Sequence, residues 1–261
     1  MKQSYRTGQV FRSGLSLVLL LLIFSGNGVA GLATAGIVAI DPGHGGYDTG
    51  AGNHDLVEKD INLALSRELA ARLRPLHRIV FTRTGDYSLK NIERVAKANQ
   101  AGADVYVSIH AVPGKSGPPF RLTVSYLEKS GASQQFPAEE SLVSAGSHEA
   151  AAGPGRKFLR WETLHNDHQA FSKRAARLTG TFLDEIPEVS CRVTEARLAV
   201  LEGADMPAMM IEISLPPAWS PGTEEFKSVF LTKLADAIAR VVDQLDSSGR
   251  LEDLIPEKSD P

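Results

Sequence analysis

Four ionisable residues lie at the end of an apolar run, at the start of an amphipathic segment or within an apolar run. They are His44, Glu58, His110 and Glu212. Two imidazoles and one carboxylate form the ligand set of many hydrolytic zinc enzymes, which keep the fourth tetrahedral position for water. The second carboxylate can then accept the proton of that water. These residue types indicate metal-assisted hydrolysis, provided that the fold brings the four side chains together.

Each of the four residues also has an ordinary structural explanation. A histidine after a strand is more often a hydrogen-bonded core or surface residue than a metal ligand. Glu58 suits the first turn of a helix, where the helix dipole favours an acid, and Glu212 can pair with a buried arginine. An acid inside the apolar run 210–213 is costly to bury unless it is paired or binds a metal. The joint placement of the four residues favours the metal site.

The hydrophobic pattern predicts the elements that would position these residues. Short apolar runs predict strands at 37–40, 78–82, 105–109, 122–127, 198–201 and 209–213. Apolar residues at helical spacing predict helices at 58–74, 89–101, 161–186 and 226–245. For the second helix, Ser88 is the predicted N-cap and Gly102 the predicted stop.

This alternation of strands and helices predicts an α/β fold. We expect a single domain with a mostly parallel twisted sheet flanked by helices on both faces. In an open parallel sheet, the loops after the carboxyl ends of the strands meet in one crevice. The glycine-rich loop 41–46 and the residues after the later strands would therefore lie close together, although they are distant in sequence.

Residues 1–35 are predicted to be a secretory signal peptide, which implies a periplasmic or secreted protein. Three basic residues precede the apolar core 15–24, and small residues follow it. Cleavage after Ala30 or after Ala35 fits the preference for small residues. An uncleaved membrane anchor is the less favoured alternative, because the apolar run is shorter than the roughly 20 residues that a spanning helix needs.

The composition is that of an ordinary globular protein and excludes several classes of function. The 261 residues carry 28 basic and 31 acidic side chains, a net charge of -3. Without the three basic residues of the leader, the net charge is about -6. No cluster of basic residues suggests nucleic-acid binding, and the loop 41–46 lacks the spacing of nucleotide-binding loops. Cys191 is the only cysteine, which excludes an intrachain disulfide.

Short motifs recur in a definite order along the chain. In the first half they are Ile-Asp-Pro-Gly-His-Gly-Gly at 40–46, Glu-Lys-Asp at 58–60, Thr-Arg at 82–83, Arg94 with Ala-Asn at 98–99, Ala-Asp at 103–104 and Ser-Ile-His-Ala at 108–111. In the second half they lie at 161–172, 198–201, 206–208 and 211–212. This order resembles the zinc-dependent N-acetylmuramoyl-L-alanine amidases of the type-3 (AmiC-like) family, over residues 37–245.

The resemblance implies a zinc ion held by His44, Glu58 and His110, with Glu212 as the catalytic residue. It implies hydrolysis of the amide between the lactyl group of N-acetylmuramic acid and the L-alanine of the peptidoglycan stem peptide. Residues 36–245 would form the catalytic domain, and residues 246–261 a polar tail. Asp41 would either orient a ligand histidine by a hydrogen bond without contacting the metal itself, or cap the turn after the first strand.

Departures from the family pattern leave a second function open. Val112 stands where the family usually has Asn or Asp, and the segment 213–217 after the glutamate is also unusual. A protein that keeps zinc and binds peptidoglycan without cleaving it is the alternative.

Residues 128–157 are predicted to be an insertion or a flexible loop. In some members of the family an inserted helix in this interval blocks the zinc site and responds to an activator protein. The Gly and Pro content of the segment favours a solvated loop over a blocking helix. An activator protein therefore stays an open alternative among the partners.

Overall fold

Apolar strands and amphipathic helices alternate along the chain in the computed structural model, which describes residues 35–52, 57–113, 120–129, 161–187, 189–215 and 223–248. The strands are β1 (Ile37–Pro42), β2 (Arg78–Phe81), β3 (Val105–Pro113), β4 (Phe120–Leu127), β5 (Val189–Ala196) and β6 (Ala208–Leu215). The helices are α1 (Glu58–Leu73), α2 (Asn91–Ala101), α3 (His165–Asp184) and α4 (Thr223–Ser248), with a short 3₁₀ turn at Trp161–Thr163.

The six strands form one sheet in the order β2-β1-β3-β6-β4-β5. The first four of these are parallel, whereas β4 runs antiparallel to β6 and β5 runs parallel to β4. This arrangement confirms the predicted α/β fold with a mostly parallel sheet. The carboxyl ends of β1, β3 and β6 consequently lie at the same edge, where loops can converge.

Helices pack against both faces of the sheet, as predicted. Alternate strand residues such as Ile40 and Ile109 pack in one cluster with apolar residues of α1, α3 and α4. Ala39 and Tyr106, which point the other way, pack with residues of α2 and of the segment 198–206. Burial on both faces explains why the central strands are continuous apolar runs.

The second helix begins later than the sequence suggests. It starts at Asn91, and the Glu93 carboxylate accepts a hydrogen bond from the Lys90 N–H at 2.7 Å. The predicted N-cap Ser88 serves the glycine-rich loop instead, because its hydroxyl donates to the Gly45 carbonyl. The predicted stop at Gly102 is confirmed by a left-handed backbone conformation, φ 60°.

The segment 198–201 is a turn, so the strand predicted there is wrong. The Leu201 N–H donates to the Leu198 carbonyl, and this turn buries Leu201 completely in the smaller core cluster. A strand that the sequence did not indicate, β5, lies just before it. Polar residues such as Ser190, Arg192 and Glu195 interrupt β5, so it lacks the short apolar run that predicted the other strands.

Several predicted segments fall wholly or mainly outside the described residues. These are the leader 1–35 except its last residue, the insertion 128–157 except its first two residues, and the tail 246–261 except the three residues that end α4. None of the described helices has the length and apolarity required to cross a membrane.

A buried ionic network ties the end of β1 to its neighbours. The fully buried Asp41 carboxylate accepts hydrogen bonds from Thr82, from the Ser108 hydroxyl at 2.8 Å and from Arg94 Nη1 at 2.9 Å. Arg94 also donates to the backbone carbonyls of Pro42 and His44, each at 2.8 Å. The network therefore fixes the backbone on both sides of the turn that follows β1.

Arg83 holds the same loop from the other side. Its guanidinium is completely buried and donates to the carbonyls of Pro42 at 2.8 Å, Gly43 at 2.9 Å and Lys59 at 2.7 Å. The planar fork of arginine suits such convergent carbonyls. Because Lys59 lies in the first turn of α1, Arg83 joins the loop after β1 to the start of that helix.

We predict that Arg94→Met lowers the free energy of unfolding by about 3–5 kcal/mol, because it leaves the Asp41 carboxylate buried without its cation. Urea denaturation measures this change. The matched control Arg78→Met, at an exposed position, should change stability by less than about 0.5 kcal/mol. Adding Asp41→Asn to Arg94→Met should restore part of the loss. Equal effects of Arg94→Met and Arg78→Met would contradict this prediction.

His77 is a buried histidine between α1 and β2. Only 5% of it is exposed, and neither ring nitrogen has a hydrogen-bond partner in the described part of the chain. Burial lowers the pKa of His77 below its ordinary value, although the charges of Asp243 and Asp104 partly oppose the shift. The folded protein therefore favours the neutral imidazole.

Because the pKa of His77 is lower in the folded than in the unfolded chain, unfolding takes up a proton as the pH falls below about 6.5. We predict that acidification from about pH 7 to about pH 5 destabilises the parent protein more than His77→Leu. Urea titrations of both proteins measure this loss. A chelator in every sample removes bound metal, so that the other histidines are in the same state in the two proteins. An identical loss of stability would show that His77 is not responsible.

Candidate metal centre

Three of the predicted site residues come together at the carboxyl edge of the sheet. His44 follows β1, Glu58 is the first residue of α1, and His110 lies in β3. Glu58 Oε1 lies 3.2 Å from His44 Nε2 and 3.1 Å from His110 Nδ1. One ligand atom from each side chain lies within 4.8 Å of the other two, and the imidazole rings meet edge to face. This grouping could hold a metal ion.

The backbone of the glycine-rich loop is arranged to present the His44 side chain. His44 itself has a left-handed conformation, φ 62°, which is unfavourable for a residue with a side chain. Reciprocal hydrogen bonds between Gly45 and Asp48, at 2.8 and 3.3 Å, close a tight turn directly after it. The bond from Arg94 to the His44 carbonyl holds the residue in this conformation.

Two glycines make room for the ligand side chains. A Cβ at Gly43 would lie 2.4 Å from the ring of His110, and a Cβ at Gly50 would lie 2.6 Å from Glu58 Oε2 and from the His44 ring. Gly50 also has a positive φ of 69°. Any larger residue at either position would displace a candidate ligand, so the loop depends on both glycines.

Asp48 orients the imidazole of His44, a role that sequence analysis missed. Its Oδ2 lies 2.8 Å from His44 Nδ1, so the other ring nitrogen, Nε2, faces Glu58. A carboxylate behind a ligand histidine is a common device that fixes the ring and raises its basicity. The only signal in the sequence was the spacing of four residues within one glycine-rich loop.

Asp41, which the sequence suggested for that role, has different contacts. Its carboxylate bonds to Thr82, Arg94 and Ser108, and none of its hydrogen bonds in the described part of the chain goes to an imidazole. Asp41 acts on the loop through Arg94, which also donates a hydrogen bond to the His44 carbonyl. Its contribution is therefore to loop position and not to the orientation of the ring.

The charge at the centre of the cluster belongs to Glu58, of which only 2% is exposed. Burial opposes its ionisation, but hydrogen bonds from His110, His44 and the Ala51 N–H outweigh this effect and lower the pKa of Glu58. The Ala51 bond measures 2.7 Å. The hydrogen bond with Glu58 likewise raises the pKa of His44. A buried anion between two imidazoles is an arrangement suited to a cation.

Glu212 lies on the strand beside His110. It is the register neighbour of His110 across the parallel pair β3 and β6, so both side chains leave the same face of the sheet. Adjacent strands are about 4.8 Å apart, which places Glu212 next to the ligand cluster. Its side chain is half-buried. The structure thus brings all four predicted residues to one edge and adds Asp48 to them.

Comparison with known proteins agrees with this geometry. Residues 38–243 match the family described as N-acetylmuramoyl-L-alanine amidase. The chain is 31% identical over 221 residues to N-acetylmuramoyl-L-alanine amidase AmiA of Escherichia coli, a match that covers 79% of this chain and 74% of that one. It is 29% identical over 219 residues to AmiC of Neisseria meningitidis, covering 79% of this chain but only 52% of that protein.

Solved structures share the fold. An N-acetylmuramoyl-L-alanine amidase from Clostridium difficile superposes with a TM-score of 0.54 and 26% identity, over 82% of this chain and 99% of that one. The catalytic domain of the amidase CwlV from Paenibacillus polymyxa has a TM-score of 0.56, with 23% identity over 80% of this chain and 98% of that one. Because the family match spans most of its length, the chain belongs to the type-3 N-acetylmuramoyl-L-alanine amidase family.

Proposed function

We propose that this protein is a zinc-dependent N-acetylmuramoyl-L-alanine amidase. Its substrate would be the amide between the lactyl group of N-acetylmuramic acid and the L-alanine of the peptidoglycan stem. The observation that carries the proposal is the cluster of His44, Glu58 and His110 with Glu212 in register beside it. The family of the chain supports the choice of substrate.

The donor set favours zinc over a harder cation. Two imidazoles and one carboxylate match catalytic zinc sites, whereas Mg²⁺ and Ca²⁺ prefer oxygen ligands. His44, Glu58 and His110 would hold the ion, and Asp48 would support His44. A bound zinc ion supplies Lewis acidity, which polarises the substrate carbonyl and acidifies the attacking water.

Glu212 would move the proton during the reaction. An unactivated amide has a poor leaving group, so the amine must be protonated as the carbon–nitrogen bond breaks. A carboxylate beside the ligand cluster can accept the proton of the attacking water and return it to the L-alanine nitrogen. Glu212 is half-buried and leaves the same face of the sheet as His110, which supports this role.

Peptidoglycan lies outside the cytoplasmic membrane, and the proposal therefore includes export. The leader 1–35 would direct the chain to the periplasm or the exterior and would be removed. The segment 128–157 is where an activator protein would act, if the enzyme requires one.

We predict that the purified protein binds one zinc ion and that His44→Ala abolishes this binding. Asp48→Asn should weaken zinc binding about 10- to 100-fold, because it removes the carboxylate that orients His44. Competition with a chromogenic chelator measures both effects. His168→Ala, which alters a histidine paired with Asp205 outside the cluster, is the matched control and should bind zinc normally. Undiminished zinc in His44→Ala would exclude His44 as a ligand.

We predict that Glu212→Gln lowers the rate of stem-peptide release from purified peptidoglycan about 10²- to 10⁴-fold while zinc content stays normal. Chromatography with mass spectrometry detects the free stem peptides, and chelation of the metal should abolish their release. Glu195→Gln is the matched control, because Glu195 lies in β5 and bonds to Gln169 of α3.

Two results would contradict the proposal. Release at the parent rate by Glu212→Gln would exclude Glu212 as the proton carrier. Binding of zinc and peptidoglycan by the parent protein with no release of peptides would instead establish the silent wall-binding alternative.

A further inference from the structure

The sheet face that carries His110 and Glu212 continues as a polar surface across the neighbouring strands. Glu212 of β6 is in register with Thr123 of β4, and Thr123 is in register with Arg192 of β5. One row of side chains therefore runs from the ligand cluster to the edge of the sheet. We call the β4 and β5 part of this face the arginine face, defined by Arg121, Thr123, Ser190 and Arg192.

The buried side of β4 and β5 shows which way the arginine face points. Leu122 and Val124 are buried in the larger core cluster, and Cys191 and Val193 pack against that cluster. A Cβ on Gly180 of α3 would lie 2.5 Å from Val193, so α3 covers that side. Because side chains alternate along a strand, the residues of the arginine face point away from α3.

No described helix covers the arginine face. The segment 198–206 packs on the same side of the sheet, but it contacts Ala208 and Leu127, at the other end of β6 and β4. Arg121, Ser190 and Arg192 are exposed, and Thr123 is half-buried. Among the described residues, the uncovered part of this face therefore begins at Glu212 and extends to β5, the last strand in the order of the sheet.

Arg121 and Arg192 differ from the other arginines near the site. Arg83 and Arg94 are buried and saturated with carbonyl and carboxylate acceptors. For Arg121 and Arg192, by contrast, the described residues provide no hydrogen bond or ion pair. Two cations on neighbouring strands that no described residue neutralises, in a chain with a net charge of -3, are a candidate site for anions.

Resting on the proposed function, we propose that Arg121 and Arg192 bind free carboxylates of the peptide stem on the leaving-group side of the scissile amide. Arginine binds carboxylates through two parallel hydrogen bonds. Thr123 and Ser190 can donate further hydrogen bonds. The occupant is thus an acidic peptide, and not the glycan, whose lactyl carboxyl is already consumed in the amide.

The spacing of the strands fits such a peptide. Two inter-strand distances of about 4.8 Å separate the backbone of Glu212 from that of Arg192. An extended peptide advances about 3.4 Å per residue, so the second and third residues after the muramoyl group would pass over the arginine face. A tripeptide stem ends in a free carboxylate at its third residue. This carboxylate would therefore come within reach of these side chains while Glu212 serves the amide.

The experiment compares two substrates that differ only in charge. One is a muramoyl tripeptide with its stem carboxylates free, and the other is the same compound with those carboxylates converted to amides. We expect the parent protein to prefer the free acid about tenfold or more in kcat/KM, mainly through KM, and to lose this preference at high salt. In the double variant Arg121→Gln with Arg192→Gln, the preference should fall to about twofold or less.

Arg197→Gln is the matched control. Arg197 is also exposed and follows β5, but it pairs with Glu128 at 3.2 Å and lies beyond the arginine face. This variant should keep the parent preference. Equal kcat/KM values for the two substrates in the parent protein, or a preference that survives in the double variant, would overturn the assignment.

A binding measurement separates this inference from the proposed function. Calorimetry with the free tripeptide and its amide needs no turnover. If the parent protein binds the acid about tenfold more tightly and the double variant does not, the arginine face is supported even when no substrate is cleaved. If stem peptides are released but neither turnover nor binding discriminates acid from amide, the proposed function stands and the arginine face fails.

Discussion

The buried pairing of Asp41 with Arg94 is the interaction on which the carboxyl edge of the sheet depends. Asp41 is the residue before the end of the first strand and has no access to water, so its charge requires a cation and hydrogen-bond donors. Arg94 meets this requirement from α2 and also donates to the carbonyls of Pro42 and His44. The same guanidinium therefore neutralises the core and fixes the backbone from which the first candidate ligand projects.

The candidate ligands surround one buried negative charge. Glu58 is held as a buried anion by two imidazoles and a backbone N–H, an arrangement that prepares negative charge where a cation would bind. Asp48 adds a second carboxylate behind His44. Such a centre is assembled from a loop, a helix start and a strand, and Arg83 joins the first two of these through backbone carbonyls. Position and charge are thus maintained by separate sets of residues.

Much of the fold could be predicted because it rests on local patterns. The apolar runs and helical spacings identified most elements, and the alternation identified the sheet class. The exceptions have physical reasons. The apolar segment 198–201 buries Leu201 by folding into a turn. The polar strand β5 pairs with β4 alone among the described strands, and it therefore needs little hydrophobicity to belong to the sheet.

By itself, the sequence determined the chemical types at the site, namely two histidines and two glutamates at the ends of predicted elements, and the family motifs around them. Only the tertiary structure decided that Asp48, and not Asp41, contacts the His44 ring. Only strand register showed that Arg192 shares a row with Glu212. Local preference is encoded in neighbouring residues, whereas the register of distant strands and the partner of a buried charge follow from how the whole core closes.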